Sequence, residues 1–189
     1  MVGVRERIKG TTSYSLILEA GWGMVIDDKG QIVQIRQASP ADLLRVMMIN
    51  RICLPENYTY SFFDSILQSY PKTFLVAEVN GDVVGYVMCR VEHGLSKLDR
   101  LSMKRLGHII SIAVLPDYRR MGIATMLLSK ALEILRDEYK CSEAFLEVRV
   151  SNHPAISLYH KLGFEIVKIS KGYYIDGEDA YVMARALTK

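Results

Sequence analysis

The chain predicts an α/β fold, a mixed sheet with helices on its faces, and three observations carry that expectation. Strand-like and helix-like stretches follow one another from Gln31 onward in the order β-α-α-β-β-β-α-β-α-β-β, about seven strands and four helices. Asn80-Gly81 separates two apolar runs, and this dipeptide tolerates the positive φ of a tight hairpin turn. The nearly continuous apolar run His108 to Leu115, of the kind buried on both faces of a sheet, leads straight into a Gly-containing turn and a helical pattern. With 189 residues the chain can bury roughly 70% of the surface it exposes when unfolded, so one domain needs neither disulfide nor structural metal.

Ile32, Val33 and Ile35 mark the first strand. Ser39-Pro40 with Asp42 supplies a cap and a proline at the first helical position, which starts a helix over 40–53. Pro55 disfavours helical geometry at Leu54, so Leu54-Pro55-Glu56-Asn57-Tyr58 forms an elbow before a second helix, Tyr60 to Gln68. Thr73 to Val79 and Val83 to Glu92 are the hairpin strands. Residues 94–107 carry Lys97, Arg100, Lys104 and Arg105 without periodicity and are expected to form a long basic loop. After the buried strand a helix runs to about Tyr139, with Met126, Leu127, Ala131, Ile134 and Leu135 on its apolar face. Glu143 to Val150 is a strand, Ser151-Asn152-His153-Pro154 opens a short helix, and Lys161-Leu162-Gly163 ends it. Phe164 to Tyr174 and Ala180 to Leu187 then pair around Asp176-Gly177. Residues 1–31 fit this pattern poorly and are set apart as an N-terminal extension without an assigned role, Met24 being an alternative start; 32–189 is the domain.

Twenty-four Lys and Arg against 21 Asp and Glu leave a charge of +3, too mild for a nucleic-acid coat yet compatible with a small polyanion. Cys53, Cys89 and Cys141 are odd in number and include no C-x-x-C, so a reducing cytoplasm is expected rather than a disulfide framework. No apolar stretch approaches the ~18 residues of a membrane span, and Leu16-Ile17-Leu18 is cut by Glu19 without a cleavage site. Neither a membrane nor a specific nucleic acid is an expected partner.

The turn after the buried strand reads Arg119-Arg120-Met121-Gly122-Ile123-Ala124-Thr125. Backbone N–H groups at a helix start lack an intrahelical acceptor, the helix dipole favours an anion there, and Gly122 lets a phosphate approach the main chain. Arg119 and Arg120 add positive charge, and a pyrophosphate is the natural guest. An ordinary strand-to-helix turn with two solvated arginines is the alternative. One strand and one helix later come Asn152, Ala155-Ile156, Leu158-Tyr159 and Leu162-Gly163-Phe164. Together with Arg-Arg-Met-Gly-Ile-Ala, these segments resemble the GNAT superfamily of acetyl-CoA-dependent N-acetyltransferases over about residues 32–187. Leu54-Pro55-Glu56-Asn57-Tyr58, Gly85-Tyr86-Val87, Gly107-His108-Ile109 and the run Lys171 to Tyr181 look more narrowly like the catalytic subunit of NatA-type protein N-terminal acetyltransferases, including the stand-alone archaeal forms.

That resemblance implies a mostly antiparallel sheet whose two central parallel strands splay apart to admit pantetheine. It implies that main-chain groups of Ile112, Ala113 and Val114 bond the pantetheine arm and that Arg120 to Thr125 surround the pyrophosphate, with Arg119 beside them. Asn152 and Tyr159 would flank the reactive end of acetyl-CoA, a helix cap and a core aromatic being the structural alternatives.

The reaction needs a neutral amine. A peptide α-amine, with a reference pKa of about 7.7–8, is partly neutral near pH 7, whereas a lysine amine near 10.4 requires more help. The candidate bases are His108, at the mouth of the buried strand, and Glu147, an isolated carboxylate in an apolar strand. On adjacent splayed strands they could face one water, at positions matching the water-mediated base of the archaeal relatives; the alternative is that Glu147 points to solvent and His108 is a loop-edge residue. Two such ligands fall short of a zinc site, so no metal is expected as a requirement. Tyr159 would give a proton to the departing thiolate, and a main-chain N–H near Val114 would polarise the carbonyl. Pro55, Glu56 and Tyr58 on the elbow and Tyr173 and Tyr174 at a strand end are expected as opposite walls of a peptide cleft, Glu56 orienting the ammonium or restricting the first residue.

The expected function is acetylation of the α-amino group of Ser-, Ala- and Met-type protein N-termini, with a ribosome or an auxiliary subunit as candidate partners. Two alternatives stand beside it: a GNAT acting on lysine or a small amine, and an acyl-CoA-binding or ribosome-docking module with little turnover.

Overall fold

Alternation sets the strands and a 3.6-residue period sets the helices in the computed structural model, which describes residues 15–19 and 22–26 as backbone and residues 32–187 in full. In chain order the elements are β1 (Ser15–Glu19), β2 (Trp22–Ile26), β3 (Ile32–Gln37), α1 (Leu43–Cys53), α2 (Tyr60–Ser69), β4 (Phe74–Val79), β5 (Asp82–Leu95), β6 (Met103–Val114), α3 (Ile123–Asp137), β7 (Glu143–Arg149), α4 (His153–Lys161), β8 (Glu165–Ser170) and β9 (Ala180–Ala186). The strands of the described residues are ordered β1-β2-β3-β4-β5-β6-β7-β9-β8 in one mixed sheet. From β3 onward the element order is the one expected from the sequence. Two compact units divide the chain: the described part of Met1–Val87 with Ile112–Leu127, and the described part of Met88–Ser111 with Leu128–Lys189.

In the first unit, Val33 and Ile35 of β3 turn inward while Ile32 and Gln37 face out. Ser39 closes the entry to α1 through its amide and hydroxyl, which donate to Asp42 Oδ2 at 2.7 and 2.8 Å. Pro40–Asp42 form one 3-10 turn ahead of the helix. Leu54 is extended, as its position before Pro55 requires. Thr59 caps α2 by accepting from the Phe62 amide. Asn80 and Gly81 both have positive φ, +51° and +92°, the geometry of the tightest hairpin turn. Phe63, Phe74 and Tyr86, all fully buried, meet ring to ring at 6.1–6.4 Å.

In the second unit, β7 pairs along its whole length with β9, antiparallel, and β9 pairs antiparallel with β8. Leu106, Phe145 and Ala184 form a buried cluster against which Val167 and Val182 pack. Gly107 lets α3 lie close on β6, because a Cβ there would come within 2.6 Å of a Leu135 methyl. The parallel pairing of β6 with β7 spans only Leu106–His108 against Glu143–Phe145, although β7 continues to Arg149. The splay expected of the central strands therefore begins at His108.

Two expectations are corrected. The 94–107 segment is not one long basic loop: β5 runs to Leu95 and β6 starts at Met103, leaving 96–102 as the connection. Buried Glu143 accepts from Ser96 Oγ at 2.6 Å and from the Lys97 amide at 2.9 Å, and the Ser96 amide donates to Ser102 O at 2.8 Å. Those bonds tighten the hairpin, and Lys104 and Arg105 belong to the strand. The strand expected over 164–174 ends at Ser170, so Tyr173 and Tyr174 sit on a loop. Gly172 and Gly177 have positive φ, and the Gly172 amide donates to Asp179 Oδ1 at 2.9 Å, which turns the chain where strand pairing was expected to continue.

Within the extension, β1 pairs antiparallel with β2, and β2 with β3 through Met24 to Gln34, Val25 to Val33 and Ile26 to Ile32. The rest of residues 1–31 lies outside the described residues. Among the described residues no helix is long and apolar enough to cross a membrane.

Candidate active site

The end of β6 leads into the turn of the first unit that carries Arg119, Arg120 and Gly122. A 3-10 turn, Pro116–Tyr118, redirects the chain, and Arg119 leaves it extended. Arg120 then adopts φ +66° and Gly122 φ +75°. The left-handed region costs a residue with a Cβ about 1–2 kcal/mol, so the turn holds Arg120 there against preference. The Met126 amide donates to Gly122 O at 3.0 Å, so the amides of Gly122, Ile123, Ala124 and Thr125 precede the first helical donor of α3. Arg120 is exposed, Met121, Gly122 and Ala124 are half-buried, Thr125 is exposed, and Ile123 anchors the turn in the core. This donor set suits a diphosphate.

Arg119 is exposed, but its Nε donates to Val114 O at 3.0 Å, a carbonyl to which Cys53 Sγ also donates at 3.4 Å. Ala113 and Val114 are buried and Ile112 is half-buried. Gly85 permits the main chain of β6 to run close by, since a Cβ there would lie 3.0 Å from Ala113 O.

The elbow is held by one buried amide. Asn50 Nδ2 donates to Glu56 O at 3.1 Å and to the Tyr86 hydroxyl at 3.0 Å, and Asn50 Oδ1 accepts from the Tyr58 amide at 3.4 Å. Tyr58 stacks on Phe62 at 4.7 Å and meets Phe63 edge-on. Pro55 is exposed, whereas Glu56 and Tyr58 are half-buried.

In the second unit His108 and Glu147 come together as expected. His108 Nε2 lies 2.8 Å from Glu147 Oε2, two residues past the last paired position of β7. Phe145 lies parallel to the imidazole, with centroids 4.3 Å apart. Glu92 of β5 stands on the opposite nitrogen, Oε1 to Nδ1 at 3.0 Å, and the same oxygen accepts from Arg90 Nε at 2.6 Å. Burial pushes the Glu92 carboxyl up, but the bonds from Arg90 and His108 outweigh it and hold it below its ordinary value. Glu92 is absent from the residues singled out in the sequence. A signal existed: Arg90 and Glu92, two apart in a strand, share a face that is apolar in the preceding turns of the pleat.

Asn152 caps α4, its Oδ1 accepting from the Ala155 amide at 3.3 Å. Tyr159 is 6% exposed and packs edge-on against Phe164 at 6.0 Å. Burial pushes the Tyr159 phenol up, so it keeps its proton near neutrality. Tyr173 and Tyr174 meet at right angles, 5.0 Å apart. Arg149 lies 4.0 Å over the Tyr174 ring and bonds Asp176 Oδ2 at 2.7 Å and Glu178 Oε2 at 2.6 Å, a staple the sequence did not disclose.

These features define an acyl-CoA-dependent transferase, and the comparisons agree. Residues 43–164 match the model of the Acetyltransferase (GNAT) family, to which the chain belongs. An N-alpha-acetyltransferase of Saccharolobus solfataricus is 52% identical over 161 residues, 85% of this chain and 96% of that protein. The crystal structure of Ard1 from Thermoplasma volcanium superposes with a TM-score of 0.73 at 32% identity, covering 83% of this chain and 99% of that one. Arabidopsis thaliana Naa50 in complex with the bisubstrate analogue CoA-Ac-MVNAL gives 0.68 at 28% identity, covering 81% and 97%.

Proposed function

We infer that the chain transfers the acetyl group of acetyl-CoA to the α-amino group of protein N-termini. The observation that carries the chemistry is the contact of His108 with Glu147 where the pairing of β6 with β7 has lapsed. When bound, acetyl-CoA supplies an acetyl thioester activated toward amines. Arg120 to Thr125 hold its diphosphate, with Arg119 beside them, and Ile112, Ala113 and Val114 offer main-chain groups to the pantetheine arm. Because Val114 O already accepts two bonds, the Val114 contribution is its N–H. Glu147 and His108 take the proton of the peptide ammonium through one water, and a modest base suffices for an amine with a reference pKa of about 7.7–8. Tyr159 keeps its phenolic proton and donates toward the departing sulfur; Asn152 attends the same end of the cofactor. Pro55, Glu56 and Tyr58 are peptide-contacting residues of the first unit, and Tyr173 and Tyr174 are peptide-contacting residues of the second. The relatives named as N-alpha-acetyltransferases support the substrate class. The NatB complex among the structural neighbours and the relative named as a catalytic subunit of an N-terminal acetyltransferase A complex support an auxiliary subunit as a partner; the ribosome and the cytoplasm complete the proposal. The domain is residues 32–189.

Mass spectrometry of free peptides with Ser, Ala, Met-Leu and Met-Glu starts tests this reading. One acetyl group should appear on the α-amine and none on N-blocked copies. Acetylation of an internal lysine overturns the substrate class, and acetyl-CoA binding without product on any peptide overturns the enzyme.

A further inference from the structure

We propose that Glu92 is a positioning residue of the acetyl transfer: it fixes which nitrogen of His108 faces Glu147 and supplies the counter-charge when the amine proton arrives. This rests on the base reading of His108 and Glu147 given above.

Three strands each contribute one group, Glu92 from β5, His108 from β6 and Glu147 from β7, so the imidazole is gripped at both nitrogens. An ionised carboxylate only accepts hydrogen bonds. Arg90 Nε, 2.6 Å from Glu92 Oε1, keeps Glu92 ionised, so the 3.0 Å contact obliges Nδ1 to carry a hydrogen. Nε2 is then the nitrogen that exchanges a proton with Glu147, across 2.8 Å. Phe145, stacked at 4.3 Å and 12°, prevents the ring from turning out of this line. The Glu92 side chain is 30% exposed and that of His108 12%, so charge on the imidazole is screened weakly by water and strongly by this carboxylate. With Nδ1 protonated, the 2.8 Å contact shares one further proton between Nε2 and Glu147. Without Glu92 the ring can place its one hydrogen on Nε2, donated to Glu147, with no counter-charge to hold a second on Nδ1, so the pair is a weaker acceptor for the amine proton.

The test compares wild type with Glu92→Gln, His108→Asn and the double variant. In Glu92→Gln, kcat should fall about 10- to 100-fold, while the peptide KM and the acetyl-CoA Kd stay within about two-fold and report an intact fold. Long-range proton–nitrogen NMR of the histidine rings should show the His108 hydrogen on Nδ1 in wild type and redistributed in the variant. Adding Glu92→Gln to His108→Asn should change kcat no further, as expected of a group that acts through the ring. An unchanged kcat in His108→Asn overturns the base reading and the role of Glu92 with it. Loss of activity in His108→Asn beside an unaltered kcat and Nδ1 signal in Glu92→Gln overturns the role of Glu92 alone.

Discussion

Tyr159 is a core ring and the proposed proton donor, and a single oxygen separates the two roles. The ring is 6% exposed and packed against Phe164, which any aromatic of that shape would satisfy. The hydroxyl is what the thiolate needs, and burial keeps it protonated at working pH. Tyr159→Phe removes the donor and preserves the packing. It should lower kcat about 100-fold with the melting temperature within about 3 °C of wild type. Steady-state kinetics beside a thermal melt decide the matter: full activity in the variant would leave Tyr159 as a core aromatic only.

At the start of α1 one carboxylate gathers the bonds that orient the helix on the sheet. Arg36 of β3 reaches Asp42 with both Nη atoms, at 2.8 and 2.9 Å, and Glu78 of β4 with Nε at 2.8 Å. The hydrogen bond from Arg36 outweighs burial, and Ser39 adds to it, so the Asp42 carboxyl is lowered to about 2 from its ordinary 3.8. As pH falls the unfolded chain takes up this proton first; the stabilisation is complete above about pH 4 and disappears as pH drops through about 2. Asp42→Asn should lower the unfolding midpoint at neutral pH and flatten its dependence between about pH 4 and 2. Thermal melts in an acid series check this, and parallel slopes for the two proteins would sink it. Ser39-Pro40-x-Asp42 announced the cap in the sequence, because capping is local. Arg36 was not legible as its partner, since the fork depends on where β3 lies beside α1. The same limit explains the 94–107 segment: Lys104 and Arg105 masked a strand whose hairpin is tied by Glu143, far along the chain.

Punctuation by Pro, Gly and Asn carried the order of elements across the whole domain, and charged residues stranded in apolar runs pointed to His108 and Glu147. Glu92 escaped because its contact with His108 crosses from β5 to β6, and Arg149 because its partners lie on a loop well downstream in the chain, pairings that composition alone does not make. The least legible part was the extension, whose Leu16-Ile17-Leu18 run is the middle of β1. Its backbone explains what it does for the sheet. β2 occupies the side of β3 not taken by β4, so β3 has partners on both edges. Deleting residues 1–30 removes that cover and leaves the N–H and C=O groups of one β3 edge open beside Ile32, itself 45% exposed, and such an edge templates pairing with a second chain. The partners of His108 are Glu92 on β5 and Glu147 on β7, so turnover on peptides should persist while the shortened chain self-associates as its concentration rises. Sedimentation across a concentration series beside the peptide assay separates the outcomes: a shortened chain that stays monomeric shows the edge to be protected by other means, and one that stays monomeric yet inactive gives the extension a part in the reaction.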